Sequence, residues 1–346
     1  MLEAYKIEQV LDICTVEQLK NILKRLDLPV SGTKTVIVKR LVEAFAVVPT
    51  KKNHQQSKKM TTIPVFFSKE KSVKNNDCYS PSAQKPGLLI RDWKKKSFPI
   101  TIHESKPITV QDFYLAHKTE FVDNILSCSI PNGFGNKSKN IAKTLPYTTG
   151  SFFSAALHVL EHGGVAISPT SGFHHATYNE AEDYCTFNGL MVTAIKLHQE
   201  YNVGHIGILD LDQHFGNGTQ DIIDVHKIDY ITHYTYGKHV RGYESQDHFL
   251  EDLQLQLQQM KDDGVEIILA QFGADPHKND PLARTPVQLS SATMKKRDAM
   301  ALQFCKDHCI PLVWNLAGGY QKPISKVLDI HTTSLEETIR IYLEAD

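Results

Sequence analysis

Hydrophobic and polar positions follow three different rhythms along the chain, and each predicts a different kind of structure. Over residues 12–46 apolar side chains recur at helical spacing, with Val16, Leu19, Leu23 and Leu26 on one stripe and Ile37, Leu41 and Phe45 on another. Between the stripes, "LPVSGT" supplies a breaker and then an N-cap, so this stretch reads as a small helical hairpin. Lys20, Lys24, Arg25, Lys34, Lys39 and Arg40 decorate its outside. Residues 49–87 lose this periodicity and are rich in Lys, Ser, Asn, Gln and Pro, the composition of a basic flexible linker. A single apolar island, "MTTIPVFF" at 60–67, interrupts it.

From residue 88 onward short, almost wholly apolar runs alternate with helical patterns. The strand candidates are "GVAIS" (164–168), "HIGILDL" (205–211), "DYITHY" (229–234), "VEIILAQF" (265–272) and "IPLVWNL" (310–316). Helical stretches at 181–201, 246–263 and 291–309 lie between several of them. Apolar strands separated by helices predict an α/β fold, a three-layer parallel sheet with helices on both faces. The expected organisation is therefore a helical motif at 1–48, a linker at 49–87 and an α/β domain at 88–346.

Charge sharpens this division. Residues 1–46 carry 7 Lys/Arg against 6 Asp/Glu and residues 47–96 carry 12 against 3, which leaves 19 against 30 for the remainder. A basic N-terminal third suits a polyanion, whereas the acidic body suits a basic substrate or plain solubility. No apolar run approaches the roughly 18–20 residues of a spanning helix, so no membrane contact is expected. The opening "MLEAYKIEQVLDIC" lacks a signal-peptide core, and the six cysteines are scattered without a CxxC pair. Both features predict an intracellular protein, nuclear if the source is eukaryotic.

The chemistry is concentrated where the apolar runs end. "GVAIS" leads to His174 and His175, "HIGILDL" to Asp212 and His214, "VEIILAQF" to Asp275 and Asp280, and "IPLVWNL" to Tyr320. In an open parallel sheet these strand ends share one edge, which is where ligands bind. Asp212, His214 and Asp275 form an oxygen/nitrogen donor set that suits Zn²⁺ with a position left open. Such an ion also turns the repulsion between neighbouring aspartates into attraction. His174 and His175 are then candidate general base and acid, with Asp210 and Asn217 as tautomer-setting partners, and Tyr320 a donor to a developing oxyanion.

Three resemblances extend this reading. The hairpin, through "TVEQLKNILK", "LPVSGTK" and "VKRL", resembles the SAP motif, which implies DNA binding by residues 12–46. The island at 60–67 resembles a clamp-binding box, with Ile63, Phe66 and Phe67 at the apolar positions and Met60 where a Gln is usual. That likeness implies a sliding-clamp partner. The body, through "SGFHHA", "LDLDQHFGNGTQDI", "FGADPHKNDPLA" and "LAGGYQK", resembles the zinc-dependent histone deacetylase family of the arginase/deacetylase fold, over about residues 105–340. This resemblance implies Asp212, His214 and Asp275 as zinc ligands and His174 and His175 as catalytic histidines, oriented by Asp210 and Asn217. It also implies Tyr320 as the transition-state tyrosine, Phe173, Leu282 and Gly318 along the substrate channel, and a K⁺ site of main-chain oxygens near Asp210, Asp212 and His214. Asn217 looks like class II and class IV members, and with a neutral partner His175 is expected to be the weaker base.

Two departures bear on substrate choice. "EDYCTFN" places Asp183 and Tyr184 where the family has Gly and Phe at the channel mouth, and the early HPExPxR signature is not recognisable near "FPITIHESKPI". The expected function is hydrolysis of N-acetyl-lysine on histones or other DNA-associated proteins. Two readings compete. A binuclear arginase-like or polyamine-specific enzyme is opposed by the absence of DAHxD and SxDxD patterns and by Leu282. A DNA-tethered binder of acetylated proteins is opposed by the complete ligand set and Tyr320.

Overall fold

The computed structural model describes residues 14–25, 29–46, 60–74 and 79–344. It divides into two compact units, Met1–Ser57 and Lys58–Asp346.

In the first unit α1 (Val16–Arg25) and α2 (Lys34–Ala46) form the expected hairpin. Thr15 and Gln18 cap α1 reciprocally, the Gln18 N–H donating to Thr15 Oγ1 at 3.2 Å and the Thr15 N–H to Gln18 Oε1 at 2.8 Å. Leu19, Leu23, Ile37, Val38 and Leu41 make the core. Val16, expected on that stripe, is 39% exposed, while Leu26 and the Phe45 side chain lie outside the described residues. Of the basic residues, Lys24 and Lys39 are exposed and Lys20, Lys34 and Arg40 are half-buried; the Arg25 side chain is outside the described residues. Arg40 is held inward, its guanidinium donating to the carbonyls of Pro29 and, at 3.0 Å, Ser31.

The second unit is built on a seven-stranded, all-parallel sheet. Its strands are β1 (Ile63–Phe66), β2 (Ile100–His103), β3 (Val165–Ser171), β4 (Ile206–Asp210), β5 (Ile231–Thr235), β6 (Ile267–Gly273) and β7 (Leu312–Ala317), ordered β2-β1-β3-β7-β6-β4-β5. The helices are α3 (Lys85–Lys95), α4 (Val110–Tyr114), α5 (Thr119–Leu126), α6 (Lys139–His162), α7 (Gly189–Tyr201), α8 (Asn217–His226), α9 (Tyr236–His239), α10 (Gln246–Asp262), α11 (Ser291–Asp307) and α12 (Ser325–Ile339).

Alternation along each strand sends side chains to opposite faces. Ile268, Ala270 and Phe272 of β6 join one core with residues of α3, α10, α11 and α12, and Ile267 and Leu269 join a second with residues of α5, α6, α7 and α8. Burial on both faces explains why the central strands read as continuous apolar runs rather than as alternating ones. No helix among the described residues is long and apolar enough to cross a membrane.

Three expectations need correction. The segment expected to be a linker supplies β1, which inserts between β2 and β3, and α3 begins within it at Lys85. The island at 60–67 does not present its anchors to a clamp, because Ile63 is fully buried and Phe66 is 7% exposed. The helix expected over 181–201 starts only at Gly189, where Asn188 Oδ1 caps the Met191 N–H at 3.1 Å. Residues 182–185 instead form a tight hairpin.

Candidate active site

Because the strands are parallel, the loops after β3, β4, β6 and β7 meet at one sheet edge. The polar residues beyond β4 are not arranged by strand alternation. The Asp212 N–H donates to Asp210 Oδ1 at 3.1 Å and the His214 N–H to Asp212 Oδ1 at 2.9 Å, two successive Asx turns that bend the chain as it leaves the sheet. Each aspartate uses one oxygen to shape the backbone, and Asp210 Oδ2 lies 2.7 Å from His174 Nδ1.

Asp212, His214 and Asp275 each place one ligand atom so that all three lie within 4.8 Å of one another, and no other trio among the described residues does so. His214 Nδ1 is 3.1 Å from Asp212 Oδ1 and 3.0 Å from Asp275 Oδ2. Asp275 Oδ2 is buried and accepts no well-directed hydrogen bond. The charges strain against one another. Burial opposes protonation of His214, but the two carboxylates outweigh it and lift its pKa to about 11. Burial and then Asp212 push Asp275 up, whereas Asp212 is held down against its own burial by His174 and His214. A buried carboxylate oxygen with no well-directed hydrogen bond, grouped with two more ligand atoms, fits a divalent cation, which would replace the proton shared with His214.

The backbone makes room for this cluster. Gly318 has φ +45°, and a Cβ there would stand 2.2 Å from Asp275 Cγ. Its carbonyl accepts a bond from the buried ammonium of Lys85.

The two histidines have unequal partners. Burial alone would depress His174, but Asp210 and Asp212 raise its pKa to about 9. His175 Nδ1 lies 2.5 Å from Asn217 Oδ1, and burial and then His174 push this ring below its ordinary range. Asn217 Nδ2 donates to Glu182 Oε2 at 3.1 Å. A carboxylate can only accept, so Glu182 sets the amide orientation, and Asn217 Oδ1 in turn requires the proton on His175 Nδ1. His175 Nε2 is left with its lone pair. Tyr320, its backbone N–H bonded to Asp280 Oδ2 at 2.7 Å, is kept protonated by burial.

His174, His175, Asp183, Tyr184, Asp212, His214, Gly318 and Tyr320 line one cavity. Phe173 and Leu282 do not. Phe173, at φ +102°, is buried with its ring 5.7 Å from that of Phe152, and the Leu282 N–H donates to Asp280 Oδ1 at 3.0 Å. Phe173 lines the adjoining pocket, which shares Ser82, Ser171, Gly172, Tyr184 and Cys185 with this cavity, and the rings that flank Tyr320 are those of two other residues. Tyr184 and Tyr79 stand 5.8 and 6.1 Å from its ring.

The sequence model of the histone deacetylase domain matches residues 88–240 and 226–335, well over half of the chain. The chain belongs to the histone deacetylase family. The SAP domain model matches residues 15–46, so a SAP domain precedes the deacetylase domain. An uncharacterized protein of Picosynechococcus sp. is 27% identical over 210 residues, 56% of this chain and 67% of its own length. Histone deacetylase 2 of Arabidopsis thaliana is 26% identical over 183 residues, 48% of this chain and 46% of that protein. Acetoin utilization protein AcuC of Staphylococcus aureus is 26% identical over 233 residues, 56% of this chain and 60% of that one. The matched part thus spans less than two thirds of the last two relatives. The crystal structure of the HDA15 HD domain aligns with a TM-score of 0.65 and 17% identity, over 82% of this chain and 89% of that chain, which establishes the fold.

Several residues of this candidate site escaped the sequence reading. Gln271 Nε2 donates to Asp210 Oδ1 at 3.2 Å, and a Gln in an otherwise apolar strand was the available signal. Glu182 was hidden inside an expected helix and Lys85 inside an expected linker. Neither carries a local signal, because their partners Asn217 and Gly318 are far away in the chain.

Proposed function

We propose that this histone deacetylase family hydrolase is a zinc-dependent deacetylase of N-acetyl-lysine on DNA-associated proteins. The observation that carries the reading is the placement of two histidines, one bonded to Asp210 and the other to Asn217, against one three-ligand cluster, with Tyr320 on the same cavity. When bound, a zinc ion supplies Lewis acidity to the acetamide carbonyl and to the water nucleophile. His175, neutral with its Nε2 lone pair free, takes the proton from water. His174, kept charged by Asp210, supplies a proton to the leaving amine, and the Tyr320 hydroxyl donates to the oxyanion. Breaking the amide C–N bond releases acetate and the free lysine amine.

Zinc content and acetyl-lysine peptide hydrolysis, measured on purified protein beside Tyr320→Phe and Asp212→Asn, test this. The expected result is one zinc per wild-type chain, loss of zinc in Asp212→Asn, and retained zinc with about 100-fold slower turnover in Tyr320→Phe. A wild type without zinc and without activity on any acetylated lysine refutes it.

The SAP domain supports a second part of the proposal, that residues 12–46 hold the enzyme on duplex DNA, nuclear in a eukaryote. Lys20, Lys24, Lys34 and Lys39 are the contact residues in this reading, while Arg40 braces the interhelical loop. Duplex affinity across a salt series should weaken, with a shallower slope, on deletion of residues 1–46. Unchanged affinity and slope remove the DNA claim.

A further inference from the structure

The hairpin at 182–185 is the unexplained part of the cavity mouth. The Glu182 N–H donates to the Cys185 carbonyl at 3.0 Å and the Cys185 N–H returns to the Glu182 carbonyl at 2.7 Å, leaving Asp183 and Tyr184 as a two-residue loop. Both have positive φ, +43° and +67°, the sign pattern of a type I′ turn that ordinarily selects Asn-Gly. Neither residue is glycine, and a tyrosine in this region is costly. The turn is held from outside, since the Tyr184 N–H donates to the Gly133 carbonyl at 2.8 Å, and a Cβ on Gly133 would lie 2.3 Å from the Cys185 carbonyl oxygen. The backbone therefore presents two particular side chains to the cavity that also holds His175, His214 and Tyr320.

Those side chains offer one chemistry. Asp183 is exposed and takes no hydrogen bond or ion pair from the described residues. It lines the same cavity as His175. Beside it, Phe134, Tyr184, Tyr320 and Tyr79 form a row of rings at successive centroid distances of 6.1, 5.8 and 6.1 Å. This row already accepts a cation at its far end, where Lys322 Nζ lies 5.3 Å from the centre of the Tyr79 ring. An unpaired carboxylate next to aromatic faces is a receptor for an ammonium or guanidinium group.

We propose that Asp183, with Tyr184, selects acetylated amines that carry a second positive charge close to the acetamide, in a peptide an Arg or Lys flanking the acetyl-lysine. This rests on the deacetylase reading and specifies the substrate of the same site. Asp183 acts on binding and takes no part in the bond-breaking step.

The test uses the full-length zinc-loaded protein and three acetyl-lysine peptides that differ only at the flanking position: Arg, its neutral isostere citrulline, and Glu. Wild type should favour Arg over citrulline by about fivefold in kcat/KM, the upper range for one exposed ion pair, with Glu poorer still. Salt near 1 M should erase most of the difference. Asp183→Asn and Asp183→Gly both tolerate the positive φ, and in both the Arg-to-citrulline ratio should fall below about twofold. Activity on all three peptides without preference, or a preference that persists in both variants, overturns the proposal. Inactivity of wild type on every peptide overturns the deacetylase reading itself, a distinguishable result. A mono-acetylated diamine assayed in parallel separates the sources of the charge: Asp183-dependent turnover of the diamine alone overturns the peptide assignment.

Discussion

Replacing Gly318 by Ala tests whether the floor of the site, rather than its ligands alone, positions the cluster. The new Cβ would stand 2.2 Å from Asp275 Cγ and 2.3 and 2.5 Å from its two oxygens, so it strikes the buried carboxylate itself. Ordinary contact begins near 3.4 Å, so the carboxylate or the turn must shift by about 1.2 Å. The φ of +45° adds a left-handed penalty of about 1 kcal/mol for Ala. A shift of that size is modest for folding and large for the site. Misplacement by about 1 Å costs roughly 100-fold in rate, and Asp275 is one of only three donors. Gly318→Ala should therefore lose about 1–3 kcal/mol of stability while falling at least about 100-fold in deacetylation, with reduced zinc occupancy. Thermal unfolding, elemental analysis and peptide turnover on one preparation separate these effects. Full zinc with activity within threefold of wild type would show that Asp275 tolerates displacement and that the packing argument is wrong.

Two buried groups away from the cluster give further predictions. His117 is fully buried, its Nδ1 2.8 Å from the Thr177 carbonyl and its Nε2 accepting the Asn188 N–H at 2.8 Å, and burial pushes its pKa down to about 4. Because the unfolded chain binds that proton near pH 6.5, the contribution is complete above 6.5 and is lost toward pH 4, about 2 kcal/mol by pH 5. Urea unfolding of wild type and His117→Asn at pH 7.5 and 5 checks this, and equal pH dependence in the two would refute it. Lys71 is also fully buried, its Nζ bonded to the Phe66 carbonyl at 3.0 Å, Ser151 Oγ at 2.6 Å and Thr170 Oγ1 at 3.0 Å. Those acceptors keep other partners without it, since Ser151 Oγ donates to Phe66 at 2.7 Å and the hydroxyls of Ser151, Ser168 and Thr170 bond in sequence. Lys71→Met should therefore be neutral or stabilising by about 1 kcal/mol, because it removes an ammonium that burial disfavours. A loss above about 2 kcal/mol would mean that the ammonium organises β1 and β3.

The site's division of labour follows from what each histidine faces. Asp210 spends one oxygen on the Asp212 N–H and on Gln271, and aims the other at His174. Asn217 cannot match that charge, so His175 stays the more weakly basic ring, and Glu182 sets the Asn217 amide rather than the imidazole directly. Two adjacent residues of one loop thereby meet partners of unequal charge on different elements.

The sequence by itself determined the layer architecture and which residues meet at the candidate site. Four central strands, β3, β4, β6 and β7, are near-continuous apolar runs because both of their faces are covered, and the polar residues that follow them share one edge because the sheet is parallel. It also determined the N-terminal hairpin, whose period and caps are local. Only the tertiary structure decided the rest. β1 is four residues long and contains Pro64, and it was hidden among lysines because composition cannot show that Lys71 is buried against hydroxyls 80 to 99 residues away. The backbone of Phe173 takes φ +102° and seats its ring against Phe152, a conformation that the residue type does not announce. Glu182, Asp183 and Tyr184 sat in a stretch with helical spacing, and positive φ at two of them made it a turn instead. Periodicity reports how a segment meets the core. Contacts between distant segments, and backbone conformations imposed from outside, leave no such trace.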